Sequence, residues 1–369
     1  MLSVFCSPSR YTQGRGATAQ LGAEMKVLGL PGPMLIVAGR SARELLSDTW
    51  KTSLGESGYR YSVHHFGGEC SHTEIARIVD SARTLGAATI IGAGGGKVLD
   101  ASRAAAAQLG LPAVNCPTVA SSDAPCSALS VIYTDEGVFQ EYRFYSKNPE
   151  LVLVDTEVVA QGPPRLLAAG MGDALATWFE AKTCVAGHVR NMRGGASTRS
   201  ALALAQLCYQ TLIEDGPEAM RAVSLKAVTP ALERIVEANT LLSGLGFESS
   251  GLAAAHAVHN GLTAAPPTRR FYHGEKVAFG VIVQLVLEGA PQAQFAEVLR
   301  FSQAVALPVT LAQIGCSDLE AGVLRQVAAR TTAPGETIHN EPFEVTPGMV
   351  HDAILAADAT GRDWLAANS

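Results

Sequence analysis

The sequence predicts an α/β domain built on a mostly parallel sheet, followed by an all-helical domain. Three observations carry that expectation. Short apolar runs alternate with helical patterns over roughly the first 160 residues. Strand-like runs nearly vanish after Pro163-Pro164. And 369 residues, 47% of them apolar, suffice for two sizeable cores.

Taken in order, Met34-Leu35-Ile36-Val37 is an apolar run suited to a buried parallel strand, and a helical segment from Ala42 to Ser53 follows it. Tyr59 to Phe66 reads as a second strand, and Thr73 to Leu85 as a helix with Ile75, Ile78, Val79 and Ala82 on one face. Ala88 to Ile91 is a third strand that runs into Gly92-Ala93-Gly94-Gly95-Gly96 and an Ala-rich helix from Val98 to Leu109. Pro112 to Asn115 is a fourth. Ala128 to Tyr133 and Val138 to Tyr145 read as a hairpin closed by Thr134-Asp135-Glu136-Gly137, and Leu151 to Asp155 ends this half. Tandem prolines favour an extended connector, so the boundary falls between a domain at 1–162 and a domain at 163–369. Helical patterns then cover Leu166 to Ala186, Thr198 to Glu214, Pro217 to Ala227, Pro230 to Ser243, Gly251 to Asn260 and Gly274 to Glu288.

Composition excludes several classes. The charges are 28 basic against 34 acidic, a net of −6, without the basic stripe of an electrostatic nucleic-acid binder. The greasiest stretch, Val277 to Leu287, is about half the ~20 apolar residues of a membrane span. Met1-Leu2-Ser3-Val4-Phe5-Cys6 puts no basic leader before an apolar core, so no secretion signal is expected. Seven cysteines, an odd number with no C-x-x-C pair, point to reduced thiols in a cytoplasm rather than a disulfide scaffold.

Three features bear on chemistry. Gly94-Gly95-Gly96 lies between a strand and a helix, where glycines let a backbone approach a phosphate and the helix amides attract the anion. Lys97 stands where a G-x-G-x-x-G loop ends in glycine, and a tight turn without a ligand is the other reading. Asp173 sits near the start of an apolar helix, where it is either a helix cap or a ligand. His256 and His259, three apart, share a helix face, and His273 follows just before another apolar helix. One acid and two or three histidines fit a catalytic zinc site of three protein ligands and one open position, although spacing alone leaves their convergence open.

In Gly94 to Asp100, Pro117 to Pro125, Ser127 to Tyr133, Asn148 to Asp155, Gly170 to Glu180, Asn239 to Asn260 and Ile338-His339-Asn340-Glu341-Pro342, the chain resembles the glycerol dehydrogenases. These belong to the iron-containing alcohol dehydrogenase superfamily, whose Rossmann-like domain and helical domain form the dehydroquinate synthase-like fold. The resemblance implies that Asp173, His256 and His273 bind the catalytic metal, usually Zn²⁺, with Fe²⁺ also acceptable to oxygen and imidazole donors. It implies that Asp123 contacts the polyol, and that Gly94, Gly95, Gly96 and Lys97 face the dinucleotide pyrophosphate. Thr118, Ser121, Ser127, Leu129 and Tyr133 would line the nicotinamide side. Thr177 stands four residues after Asp173, where the iron-binding branch carries another histidine, which favours the zinc branch. His259 is a proton relay, a support for the ligands or a packing residue.

One departure matters. The family tends to place an acid after the first strand to hold the adenosine ribose, and this chain has Gly39-Arg40 there. Loss of the acid relaxes the preference for NAD and leaves room for NADP, since an arginine pairs with a 2′-phosphate. The implied reaction transfers hydride from glycerol or a similar vicinal diol to NAD(P) in a homo-oligomer, often an octamer, with no membrane or nucleic-acid partner. Two rivals are weighed beside it. A dehydroquinate synthase-like or glycerol-phosphate dehydrogenase-like enzyme would need basic residues for its phosphate, and Arg269 and Arg270 are candidates. A non-enzymatic dinucleotide-binding protein would have lost its metal site.

Overall fold

The computed structural model describes residues 1–317 and 320–368; residues 318, 319 and 369, within the expected second domain, lie outside the described residues. The chain separates into two compact units. The sheet unit comprises 7–162 and 222–244, and the helical unit comprises 1–6, 163–221 and 245–369. The chain passes between the units at 6/7, 162/163, 221/222 and 244/245.

The sheet unit holds six parallel strands: β1 (Tyr11–Gly14), β2 (Met34–Ala38), β3 (Tyr61–His65), β4 (Thr89–Gly94), β5 (Ala113–Pro117) and β8 (Leu151–Asp155), in the order β1-β8-β5-β4-β2-β3. β6 (Leu129–Tyr133) and β7 (Phe139–Phe144) form the expected antiparallel hairpin. Helices α1 (Leu21–Val27), α2 (Arg40–Glu56), α3 (His72–Leu85) and α4 (Gly96–Leu109) connect strands, and α5 (Thr156–Gln161) follows β8. Side chains alternate through β2, so Ile36 and Ala38 pack with Leu46, Trp50 and Leu54 of α2, while Leu35 and Val37 pack with Ile75, Ile78 and Val79 of α3. Both faces are therefore covered.

β1 was not expected. Its Tyr-Thr-Gln-Gly is half-buried and polar, so it carries neither an apolar run nor a clean alternation. The glycine loop consequently follows the fourth strand in chain order. Within the sheet, however, β4 lies directly beside β2, and the chain leaves β2 toward β3 on one side and returns to β4 on the other. That makes β2/β4 the switch point of the sheet, where open α/β folds take ligands.

Residues 222–244 join the sheet unit through α8 (Pro230–Glu237) and a single π-helical turn, Ala238–Leu242. Gln13 Nε2 donates to the Glu233 carboxylate at 2.8 Å, and Asn239 Nδ2 donates to the Ala120 carbonyl at 2.9 Å.

The remaining helices are α6 (Pro164–Ala186), α7 (Arg199–Ser224), α9 (Ser243–Ser250), α10 (Ala254–Leu262), α11 (His273–Leu287), α12 (Gln292–Ala304), α13 (Ala321–Thr331) and α14 (Pro347–Ala367). The two helices expected at Thr198–Glu214 and Pro217–Ala227 are one, with Pro217 inside α7. Among the described residues no helix is long and apolar enough to cross a membrane, and all seven cysteines are free.

Candidate functional site

Asp173 is not a cap. It lies in the interior of α6, fully buried, where a lone carboxylate is costly unless paired. Its neighbours are set by glycine-mediated helix approach within the helical unit. A Cβ on Gly274 of α11 would stand 1.7 Å from the Ala169 carbonyl oxygen and 2.9 Å from the Asp173 amide nitrogen of α6. A Cβ on Gly280 would stand 2.4 Å from the Ala255 carbonyl oxygen of α10. Only glycine allows α11 to come this close to α6 and α10 at once. The start of α11 is fastened further by Glu275, which accepts from the Tyr272 amide at 2.7 Å and pairs bidentately with Arg165 at 2.5 and 2.9 Å.

These helices bring Asp173, His256 and His273 together, with one donor atom from each within 4.8 Å of the others. His256 Nε2 lies 3.4 Å and His273 Nε2 3.0 Å from Asp173 Oδ1. Tetrahedral donors about 2.0–2.1 Å from a zinc ion stand about 3.3 Å apart. The oxygen and nitrogen donor set and its spacing therefore fit a divalent cation. His256 is buried, while the His273 side chain keeps 42% of its surface exposed, so the triad opens on one side. Burial alone would raise the Asp173 carboxyl, but the facing His273 and His256 more than offset it and hold the group well below the usual carboxylate range.

His259 stands against His273 rather than against Asp173. Its Nε2 is 3.0 Å from His273 Nδ1, and its own Nδ1 is 3.0 Å from Asn260 Oδ1. Burial, with His273 and Lys276 nearby, pushes His259 well below the ordinary imidazole value. Glu180 escaped the sequence reading as a participant. It lies on α6 two turns beyond Asp173, fully buried, with Oε2 2.5 Å from His256 Nδ1. The i, i+7 spacing from Asp173 in an apolar helix was the signal available.

The expected dinucleotide residues all lie in the sheet unit. Gly39 precedes α2 at the end of β2; Gly94 closes β4, and Gly95 and Gly96 open α4. Neither Gly95 nor Gly96 has a positive φ, and a Cβ there meets only Val119 at 3.6 Å or Ser122 at 3.7 Å, so packing within the chain does not demand glycine. Lys97 Nζ pairs with Glu69 at 2.6 Å and lies 5.2 Å from the centre of the Tyr133 ring. The Thr118 amide donates to the Gly94 carbonyl at 3.0 Å, tying the loop after β5 to the glycine loop, and Ser121 is half-buried nearby in that loop. Ser127 is buried with its Oγ 3.3 Å from Arg103 Nη1, and Arg103 also donates to the carbonyl of Leu129. Asp123 Oδ2 accepts from Ser243 Oγ at 3.0 Å. Arg270 stacks 5.2 Å from the Phe271 ring and lines a cavity of about 530 Å³ with Arg165 and Gln313; none of the three metal candidates lines it.

Residues 8–156 match the family model for iron-containing alcohol dehydrogenases. The chain is 51% identical to glycerol dehydrogenase of Pseudomonas putida, across 97% of this chain and 98% of that one. It is 49% identical to glycolaldehyde reductase of Halobacterium salinarum, across 98% and 99%. The crystal structure of glycerol dehydrogenase from Schizosaccharomyces pombe superposes with a TM-score of 0.95 at 38% identity, covering 99% of this chain and 93% of that one. The architecture is thus the dehydroquinate synthase-like fold that the sequence led us to expect. On identity of this level over almost its whole length, the chain belongs to the glycerol dehydrogenase family of iron-containing alcohol dehydrogenases and is an oxidoreductase acting on an alcohol.

Proposed function

We propose that the protein is a zinc-dependent glycerol dehydrogenase that uses NAD and yields dihydroxyacetone, or a related hydroxyketone from a similar vicinal diol. The convergence of Asp173 Oδ1, His256 Nε2 and His273 Nε2 in one cluster, buried at Asp173 and His256 and open at His273, carries this reading. When bound, a divalent cation supplies Lewis acidity toward a hydroxyl and a nicotinamide ring accepts hydride. The chain's own residues then bind and orient. Asp173, His256 and His273 hold the cation, and Thr177, buried one turn from Asp173, offers no imidazole as a fourth ligand, which favours Zn²⁺ over Fe²⁺. Gly94, Gly95, Gly96 and Lys97, at the switch point of the sheet, receive the pyrophosphate; glycine at 95 and 96 makes sense if a phosphate approaches the backbone closely. Gly39 leaves room for the adenosine ribose. Thr118, Ser121, Ser127, Leu129 and Tyr133 shape the nicotinamide side. Asp123 accepts a polyol hydroxyl, and Ser243 orients its carboxylate. His259 holds His273 through a ring-to-ring hydrogen bond.

A phosphorylated substrate is the weaker reading, because Arg270 is engaged with Phe271 in a cavity that the metal candidates do not line. The glycolaldehyde reductase relative makes small hydroxyaldehydes worth testing in the reverse direction. The reading includes a cytoplasmic homo-oligomer, in keeping with seven free thiols.

Metal analysis of purified protein, joined to a panel of polyols with NAD and NADP, tests the proposal. One zinc per chain and NADH formation from glycerol are expected. Asp173→Asn and His256→Ala should lose most of the zinc and at least about a hundredfold in turnover, since several kcal/mol of charge stabilisation goes with the ion. Both should keep their circular dichroism. Full turnover by metal-depleted Asp173→Asn would overturn the reading.

A further inference from the structure

The first turn of α10, which carries His256, is capped by side chains. The amides of Ala253 and His256 donate to Glu180 Oε1 at 2.8 and 3.0 Å, that of Ala254 to Glu341 Oε1 at 3.2 Å, and that of Ala255 to Gln284 Oε1 at 3.1 Å. All four belong to the unsatisfied N–H groups of a helix start. Glu180 alone does something more. Its second oxygen, Oε2, is 2.5 Å from His256 Nδ1.

Glu180 Oε2 accepts from His256 Nδ1, so Nδ1 carries a proton, and Nε2, on the Asp173 side, is the nitrogen that can exchange its own proton for a cation. A second string orders His273 in the same way. Asn260 Nδ2 donates to Glu336 Oε2 at 2.8 Å, which turns Asn260 Oδ1 toward His259 Nδ1. His259 Nδ1 therefore donates, its Nε2 accepts from His273 Nδ1, and His273 Nε2 is likewise the nitrogen turned toward Asp173 that can exchange its proton for a cation. Both strings end on a carboxylate, but only His256 meets its carboxylate directly.

We infer that Glu180 is a positioning residue for the metal centre: it fixes His256 in the one tautomer whose Nε2 can take a cation. The inference rests on the zinc-site reading above. Glu341 provides the internal contrast, because it caps the same helix turn and touches no imidazole in any hydrogen bond described. In Glu180→Gln the amide keeps one oxygen for the backbone N–H groups but turns its NH₂ toward Nδ1. That favours the opposite tautomer, with the proton on Nε2.

The test measures Zn²⁺ affinity of the full chain, stripped of metal, by competition with a chromogenic chelator, alongside circular dichroism and melting of the stripped proteins. Glu180→Gln should weaken zinc about 10–100-fold, the usual cost of removing a hydrogen-bond partner from a ligand histidine. Glu341→Gln should stay within about threefold of wild type, and both should melt alike. Should Glu180→Gln fail to fold, Glu180→Asp keeps an acceptor set back by one methylene and should show a smaller loss of zinc in a folded chain. Wild-type zinc affinity in Glu180→Gln, or in a folded Glu180→Asp when Gln does not fold, overturns the inference. So does an equal loss in Glu341→Gln, which would reduce Glu180 to a helix cap. His256→Ala separates the two levels: if it retains zinc, the metal-site reading itself falls.

Discussion

Arg40 stands where the resemblance read from the sequence leads to an acid being expected. It is exposed at the first position of α2, directly after Gly39 and at the end of β2, the strand beside the glycine-loop strand β4. An acid at this place binds the ribose hydroxyls of NAD and repels a 2′-phosphate; an arginine does neither and attracts the phosphate. NAD should therefore remain the better cofactor by less than about a hundredfold in kcat/KM, with NADP measurably used. Arg40→Asp should widen the NAD:NADP ratio about tenfold or more, an effect of the size of one charge-assisted hydrogen bond. The check is kcat/KM for both cofactors in both proteins, and an unchanged ratio in Arg40→Asp would remove Arg40 from cofactor selection.

At the scale of elements, the site depends on how closely three helices run. α11 brings His273 to Asp173 because Gly274 and Gly172 allow the backbones of α6 and α11 to touch: a Cβ on Gly172 would stand 2.4 Å from the Gly274 carbonyl oxygen. Gly274→Ala forces a methyl group into the Ala169 carbonyl, and neither helix can yield without moving a buried neighbour. The variant should lose about 2–4 kcal/mol of stability, at the upper end of overpacking costs. It should also bind zinc more weakly, because His273 moves with its helix while Asp173 stays. Urea unfolding and zinc titration of the same preparation test both parts. A variant as stable as wild type with an intact zinc site would mean that α6 and α11 have slack the contacts do not suggest.

At the scale of the whole molecule, sequence patterning revealed the two-part architecture and left the site's wiring hidden. Buried strands such as Leu151–Asp155 are apolar throughout, and α3 carries a clear stripe, so both could be placed from residues alone. β1 could not, being short and polar and held by its pairing with β8 and by side-chain bonds such as that of Gln13 to Glu233, which no local pattern announces. The resemblance named Asp173, His256 and His273, but no spacing tells that three helices meet or that Glu180 and Asn260 stand behind the imidazoles. Pairings of that kind arise from backbone approach, which a linear pattern does not encode. Glu341 is a further instance, a buried carboxyl behind the histidine helix whose consequence is global. Burial above all, and then the charges of Glu288 and Glu180, push it up to about 8 from an ordinary 4.5. The folded chain thus holds this proton more tightly than the unfolded chain. The contribution to stability is whole below pH 4.5 and is lost as the pH climbs through about 8. Glu341→Gln keeps an oxygen for the Ala254 amide and never ionises. Near pH 5 the variant should match wild type, and at pH 9 it should be the more stable by about 1–3 kcal/mol. Urea unfolding of the two proteins at pH 5, 7 and 9 reads the difference directly, with titrations common to both cancelling. A gap that stays constant across that range would show that Glu341 does not couple folding to pH.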